Sequence, residues 1–196
     1  MSHPFDATLD AAGRALAQVV APALDAGNPL AREQLALVQR FLKLIAARAD
    51  EIGALARAEL AISCANGLRL QALAGFTPAD MQRAQAEALA AGAALQDDMH
   101  AAAPALRAAA ATLDALESAL VRFAAGADAP TRHALRRAVI EGAAARLALR
   151  RAWFAPLGLD PEMKGVPPWP EACARAHRLQ PTTTTDARRR EPGDET

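Results

Sequence analysis

Between residues 81 and 123, small and apolar side chains recur at the seven-residue spacing of helices that pack against other helices. One set of positions consists of Gln85, Gly92, Met99, Leu106, Leu113 and Leu120. The second set, three residues further on each time, consists of Ala88, Leu95, Ala102, Ala109, Leu116 and Phe123. Residues at these spacings lie on one side of a helix. Because many of them are alanine, the pattern predicts close packing on a second long helix with small side chains.

The segment from residue 30 to residue 73 has the properties of that second helix. Eight of its large apolar residues lie on one side of a helical wheel. They are Leu30, Leu37, Phe41, Leu44, Ile45, Ile52, Leu55 and Ile62. Both segments begin with a capping residue followed by proline, at Asn28-Pro29 and at Thr77-Pro78. Such pairs are typical of helix N-termini, so two long helices are predicted.

A tight turn at Gly75-Phe76 makes these two helices antiparallel, and the sequence therefore predicts a long central helical hairpin. Pro104 has no backbone N–H, and we expect it to kink the second helix near its middle. Shorter helices, at about 5–25 and 130–152, join the hairpin through short loops at the end remote from the turn. We expect them to cover only that end, so that the 55–95 part of the hairpin projects or packs on a second copy.

The predicted fold class is all-α: an antiparallel helical bundle built on a long central helical hairpin, with two shorter flanking helices. Alanine, the strongest helix former, is abundant, and no alternating strand pattern is found. We expect the helical bundle over residues 1–152, followed over 153–180 by a strap that is rich in proline and tryptophan and contains a short helix. Residues 181–196 cannot bury apolar surface, so a disordered tail is expected there.

Composition and charge argue against several classes of function. Lys and Arg together number 22, as do Asp and Glu, so the formal net charge is zero and no overall field attracts nucleic acid. No apolar run reaches the roughly 20 residues that span a bilayer, and the first residues lack the pattern of a signal peptide. We therefore expect a cytoplasmic protein without a transmembrane segment, in which Cys64 and Cys173 are reduced thiols.

The sequence also lacks the motifs of common enzymes. It contains no glycine-rich phosphate loop, no Glu-x-x-His pair of the di-iron bundles and no nucleophile elbow. Asp97 and His100 lie one helical turn apart, but a metal ion requires three or four ligands. We expect no catalytic residues, no metal and no cofactor, and hence a protein that is not an enzyme.

A line of polar residues interrupts the apolar side of the helix over 30–73. Glu59, Ser63 and Asn66 share the angular sector of Leu55 and Ile62. A carboxylate directed at a core must be paired or hydrated. Three interpretations remain open: a hydrated face of a thin hairpin, a small polar site, and a polar contact across an oligomer interface that fixes its register.

The predicted helix at 130–152 has a basic face. Arg132, Arg136, Arg146 and Arg150 fall within one narrow sector. This face suits an acidic partner helix or an anionic ligand, and it is equally consistent with a solvated surface. It lacks the interleaved aromatic residues on which bases stack, so nucleic acid is not an expected partner.

The segment after residue 152 concentrates scarce aromatic residues in what we interpret as a loop. Trp153, Phe154 and Leu157 are its large apolar members. A chain with few large residues needs them inside, so the loop is interpreted as a strap that closes one end of the bundle. The alternative is a docking loop, because Trp is favoured as an anchor in interfaces.

Two functions follow from these patterns. The first is a non-catalytic cytoplasmic helical scaffold or accessory protein that acts through helix–helix interaction, as a homodimer or with a cytoplasmic protein partner. The second is a binder of an apolar ligand or surface, such as an acyl chain. Alanine-rich helices that contain Gln and Leu but no Tyr resemble in composition those of phasins, the helical coat proteins of polyester storage granules. That resemblance implies association with a granule surface.

Overall fold

Helices make up almost all of the regular structure in residues 4–179, which the computed structural model describes. The α-helices are α1 (Pro4–Ala15), α2 (Ala21–Ala23), α3 (Pro29–Arg48), α4 (Ile52–Leu73), α5 (Ala79–Asp97), α6 (Ala103–Phe123), α7 (Ala129–Phe154) and α8 (Trp169–Arg178). No strand occurs within this range, and the predicted all-α antiparallel bundle on a long helical hairpin is confirmed. The tail predicted for 181–196 lies outside the described residues.

Short irregular turns join several of these helices into longer rods. α1 continues into α2 through a π-helical segment, Leu16–Val20, in which Ala21 N–H bonds to Leu16 O. The wider turn is the expected response to Pro22, which cannot donate a backbone hydrogen bond. α3 and α4 are nearly continuous through the 3₁₀ turn Ala49–Glu51. None of the helices in the described range combines the length and the apolar content that crossing a bilayer requires.

Helix α4 is the axis of the bundle because it has no exposed face along its middle. Every residue from Leu60 to Gly67 is buried, together with Ala56 and Ala58. A helix that is buried all round must be enclosed by neighbours. Here α5, α6, α7 and α8 all pack directly on α4, and most of the α4 side chains at these contacts are small.

The helices alternate in direction around this axis, as polar contacts show. Gln85 Nε2 of α5 donates to Gly67 O at 3.0 Å, while Gln96 Nε2 donates to Arg57 O at 2.9 Å, so α5 runs antiparallel to α4. α6 runs parallel to α4 and α7 antiparallel, with short turns between consecutive helices. The result is an up-down-up-down four-helix bundle of α4 to α7, and α8 covers the remaining side of α4 and α7.

The predicted kink at Pro104 is wrong. The chain leaves the helix at Asp98, reverses over residues 98–102, and starts α6 with Pro104 in its first turn. There a missing N–H costs nothing, because the first N–H groups of a helix have no intrahelical partner. Asp98 Oδ1 accepts the His100 N–H at 2.8 Å and stabilises the turn. Met99, which the heptad pattern places in the seam, lies in this turn and is 87% exposed.

The predicted distribution of the flanking helices is also wrong. We expected the 55–95 hairpin to project and the helix at 130–152 to avoid it, whereas α7 packs along α4 beside the buried Leu60–Gly67 segment. Because α6 folds back at 98–102, it too covers α4. No second copy is needed to cover the hairpin, so the reason first given for self-association does not hold.

The part that extends from the bundle is instead the arm formed by α1, α2 and α3. α1 packs on one side of α3, and the end of α3 packs on the 3₁₀ turn Ala155–Leu157. Leu44 is the buried residue of α3. Asn28 caps α3 as predicted, since its Oδ1 accepts the Ala31 N–H at 3.0 Å. Thr77 is not the cap expected for α5, because its hydroxyl donates back to Ala74 O at 2.7 Å.

Glycines occupy the closest approaches to α4. A Cβ on Gly92 of α5 would lie 2.7 Å from Cys64 Sγ, whereas a Cβ on Gly53 would meet nothing within 4 Å. The close α4–α5 packing thus depends on glycine at position 92.

We predict that Gly92→Ala lowers the free energy of unfolding by about 1–3 kcal/mol, because the new methyl group forces the two helices apart. Adding Cys64→Ala removes the sulfur, so the double variant should lose less than the sum of the two single losses. Gly53→Ala is the control and should stabilise the fold by up to about 1 kcal/mol. Urea denaturation compares the wild type with Gly92→Ala, Cys64→Ala, the double variant and Gly53→Ala. Equal stability of the Gly92 and Gly53 variants would contradict the described packing.

Candidate functional site

Two polar side chains lie inside the bundle on the face of α4 that meets α6 and α7. Ser63 is 3% exposed and Asn66 is 1% exposed. They are three residues apart and therefore point to the same side of the helix. Buried polar groups of this kind require hydrogen-bond partners.

Helix α6 supplies those partners with matched spacing. Ser63 Oγ donates to Asp114 Oδ1 at 3.0 Å, and Asn66 Nδ2 donates to Glu117 Oε2 at 2.8 Å. Because both pairs are three residues apart on their helices, they can form together only in one register of α4 against α6. A slip by one residue would leave buried donors without acceptors.

Arg146 of α7 completes the cluster. Its guanidinium forms an ion pair with Asp114, lies 3.7 Å from Glu117 Oε2 and donates to Ser63 Oγ at 3.3 Å. The arginine side chain is 25% exposed. One cation of α7 thus bridges two carboxylates that lie one turn apart on α6 and would otherwise repel each other.

Glu59 and Arg150 extend this line one turn along α4 and α7. The Arg150 Nε atom lies 3.8 Å from Glu59 Oε1, and a quarter of the Glu59 side chain is exposed. Glu59 is therefore both paired and hydrated rather than buried in a dry seam. Together with Ser63 and Asn66 it forms the line that the sequence pattern picked out.

Gly142 of α7 makes the closest contact to this cluster. A Cβ at position 142 would lie 2.7 Å from Asn66 Cγ. Among the described residues, Asn66 Oδ1 is a buried oxygen with no hydrogen-bond partner. The amide cannot be turned to satisfy it, since Nδ2 must face the Glu117 carboxylate.

The chemical capacity of the cluster follows from these bonds. The Ser63 hydroxyl is committed to a carboxylate and has no imidazole among its hydrogen-bond partners in the described residues. Within residues 4–179, no three His, Cys, Asp or Glu side chains are grouped so as to hold a metal ion. The arrangement is suited to fixing the register of three helices of one chain. The contacts are therefore made inside the bundle, whereas the interface interpretation placed them between copies.

The predicted basic face is divided between two environments. Arg146 and Arg150 join the polar cluster, whereas Arg132 and Arg136 lie nearer the start of α7 and line a groove against the end of α6. The four arginines therefore share a helical sector but not a neighbourhood, and they do not form one anion site.

Most of the predicted docking loop belongs to the joint between arm and bundle. Trp153 and Phe154 are the last residues of α7, so their assignment to a loop is wrong. Trp153 packs edge-on against Trp169 with ring centroids 5.1 Å apart. The Arg48 guanidinium lies over both rings, at 5.7 and 5.2 Å, and donates to Trp153 O at 3.1 Å. Leu157 is buried and Phe154 is 48% exposed.

The strap after α7 is held by one ion pair. Arg151 Nε donates to Asp160 Oδ2 at 2.7 Å, and this hydrogen bond lowers the pKa of the Asp160 carboxyl. Gly158 permits the turn between them, since its φ of 62° is in the left-handed region that favours glycine. The ion pair between Arg151 and Asp160 thus supports the interpretation of this segment as a strap.

Asp114, Glu117 and Arg48 are the site residues that the sequence analysis missed. Glu117 lies midway between the buried Leu113 and Leu120. A charged residue at the edge of the apolar seam is the feature of the sequence that could have identified it as a site residue. Arg48 carries no such signal, because its partners are two backbone carbonyls and two rings that lie more than 100 residues away in the chain.

No family model, curated protein sequence or solved structure matches this chain. The resemblance to phasins is therefore one of composition alone, with no family match to support it.

We predict that Arg146→Met lowers the free energy of unfolding by about 1–2 kcal/mol, because it leaves Asp114 and Glu117 close together without their cation. Arg150→Met is the matched control. The Arg150 side chain is 63% exposed, so its loss should cost no more than about 0.5 kcal/mol. Chemical denaturation at neutral pH compares the two. Equal losses would show that the cluster does not hold the helices in register.

The two thiols should be unreactive in the folded chain. Burial raises the pKa of both Cys64 and Cys173 to about 11, and the neutral thiol is a poor nucleophile. At mildly alkaline pH, an aromatic disulfide reagent should therefore modify the native protein slowly and the protein unfolded in guanidinium rapidly. Rapid modification of the native protein would contradict the described burial.

Proposed function

We propose that the protein is a non-catalytic helical scaffold of the cytoplasm that self-associates through one face of helix α3. The observation that carries the proposal is an apolar stripe on the arm. Val38, Phe41 and Ile45 are 43–49% exposed, and their separations of three and four residues place them on one side of α3. Ile52, at the start of α4 beyond the 3₁₀ turn, is 47% exposed and continues the same spacing in the sequence. This α3 stripe is the surface that we assign to helix–helix interaction.

The stripe has the character of a coiled-coil seam. Val38, Ile45 and Ile52 repeat every seven residues and are all β-branched, while Phe41 lies at the intervening position. Seams with β-branched residues at one heptad position favour two-stranded assemblies. A seven-residue apolar repeat is not expected on a side of a helix that faces only solvent.

The other faces of α3 are covered by α1 or carry charged residues. α1 covers one side, where Leu9 and Ala17 lie across a groove from Leu42 and Ala46. With the exception of Arg48, which binds the Trp153 carbonyl at the joint with the bundle, the charged residues of this segment lie opposite the stripe on a helical wheel. They are Arg32, Glu33, Arg40, Lys43, Asp50 and Glu51. The stripe is thus an apolar face of α3 that this chain leaves uncovered.

A second copy of the chain is the occupant that we propose. Two identical stripes are apolar along their length and can face each other about a two-fold axis, which buries the same residues of both copies. The formal net charge of zero removes the long-range repulsion that opposes association of identical chains. α3 has 20 residues and is about 30 Å long, which is enough for several heptad contacts.

We predict that sedimentation equilibrium of the full chain at micromolar concentration gives a dimer, and that Ile45→Glu gives a monomer. The variant buries a carboxylate in the seam of the dimer and exposes it in the monomer, so the fold of each copy should be unaffected. Ala47→Glu adds the same charge to the charged side of the same helix and should remain dimeric. Circular dichroism confirms that both variants keep their helices.

Two results would contradict the proposal. A monomeric wild-type chain would remove self-association, and if that monomer adsorbed to polyester or triglyceride droplets through Ile45, the apolar-surface function would replace it. A dimeric Ile45→Glu variant would show that copies associate through a different face.

A further inference from the structure

A second apolar surface lies at the opposite end of the bundle, where α6 ends and α7 begins. It is a groove of about 340 Å³, lined by Val121, Ala124, Ala125, Arg132, Leu135, Arg136, Val139 and Ile140. This volume falls in the range of small-molecule sites. The groove is lined by residues 132–140 of α7, so it lies about 20–30 Å along the bundle from Trp153 at the joint with the arm.

The walls and the floor of the groove are hydrocarbon. Ala124 and Leu135 are buried and form the floor, while Val121 and Ile140 are 44% and 67% exposed at its rim. Alanine at positions 124 and 125 leaves the space that larger residues would fill. An exposed isoleucine and valine facing a shared groove are suited to contact a flexible apolar chain.

The charge of the groove has one sign. Arg132 and Arg136 lie one turn apart on α7, and no Asp or Glu is among the lining residues. Arg132 donates to Ala127 O, which anchors it beside the groove. Arg136 forms no hydrogen bond or ion pair with any residue that the structure describes, whereas Arg146, Arg150 and Arg151 are each paired with a carboxylate.

Arg132 lies near the Asp128 carboxylate and contributes to lowering its pKa, so Arg136 is the guanidinium of the groove without an acidic partner among the described residues. From this combination of hydrocarbon with the unpaired guanidinium of Arg136, we infer that the groove binds a single acyl chain with a free carboxylate. The chain lies on Val121, Val139 and Ile140, and the carboxylate is bound by Arg136 with Arg132 beside it. A guanidinium can donate two parallel hydrogen bonds to a carboxylate, which fixes the direction of the ligand in the groove. A neutral lipid would leave this cationic edge without a partner, and a cationic amphiphile would be repelled.

Calorimetry with decanoate below its micelle concentration tests the inference on the full chain. We expect saturable binding of decanoate that is about fivefold tighter than that of decanol, and no binding of decyltrimethylammonium. Arg136→Gln should abolish the preference for decanoate over decanol. Arg137→Gln is the matched control, because Arg137 is exposed and does not line the groove.

A second variant distinguishes the contribution of the groove's shape to decanoate binding from the contribution of its charge. Ala125→Trp fills the space without changing any charge, and at this exposed position it should leave the fold intact while it blocks decanoate binding. The measurement is repeated on the Ile45→Glu chain, in which binding should persist. Measuring binding on this variant keeps the test independent of self-association through α3.

The inference is overturned if decanoate does not bind, or if decanol and decanoate bind equally and Arg136→Gln has no effect. It is also overturned if Ala125→Trp still binds decanoate, since the ligand would then lie elsewhere. Vesicles of anionic phospholipid provide the last comparison: binding to vesicles without binding of decanoate would indicate a membrane surface rather than a free carboxylate.

Discussion

The architecture depends on a helix segment that must be covered on every side. From Leu60 to Gly67, α4 has no exposed residue, so four other helices have to enclose it. Small residues on α4, with glycine at positions 67, 92 and 142, let the neighbouring helices approach closely. Burial of this one segment explains why α6 folds back at residues 98–102 and why α8 returns to the bundle after the strap.

Enclosure alone would leave the register of the helices free, because small side chains pack acceptably in several offsets. The pairs of Ser63 with Asp114 and of Asn66 with Glu117, bridged by Arg146, satisfy their hydrogen bonds in one offset. The polar line of α4 therefore acts on specificity of packing more than on stability. The surfaces that we assign to interaction, the α3 stripe and the groove at the start of α7, lie outside this enclosed part.

The sequence was sufficient for the fold class and for several helix starts, because caps and heptads are local signals. It was insufficient for the reversal at 98–102, since Met99 and Leu106 continue the seven-residue spacing across the turn. Pro104 is compatible both with a kink and with the first turn of a new helix, and the continuing seven-residue spacing favours the kink. The absence of charge from Leu60 to Leu68 indicates a helix that is buried all round, although Leu55 and Ile62 also fit the amphipathic pattern of the preceding residues.

The polar line was visible because Glu59, Ser63 and Asn66 interrupt an apolar pattern on one helix. Its partners were not visible, because pairing between helices depends on the topology. The arginines of α7 show the same limit: Arg132 and Arg150 share a sector, but 18 residues of helix separate them by about 27 Å, so they meet different neighbours.

Native-state hydrogen exchange, followed by mass spectrometry of peptides, tests the enclosure of α4 most directly. Amides in an enclosed segment exchange only when the whole domain unfolds, whereas those in a projecting element exchange through local opening. We expect peptides covering 56–70 to be the slowest in the chain and peptides covering 29–44 to be much faster. If peptides from 56–70 and 79–97 exchanged as fast as those from 29–44, the hairpin would project and α4 would not be the axis of the bundle.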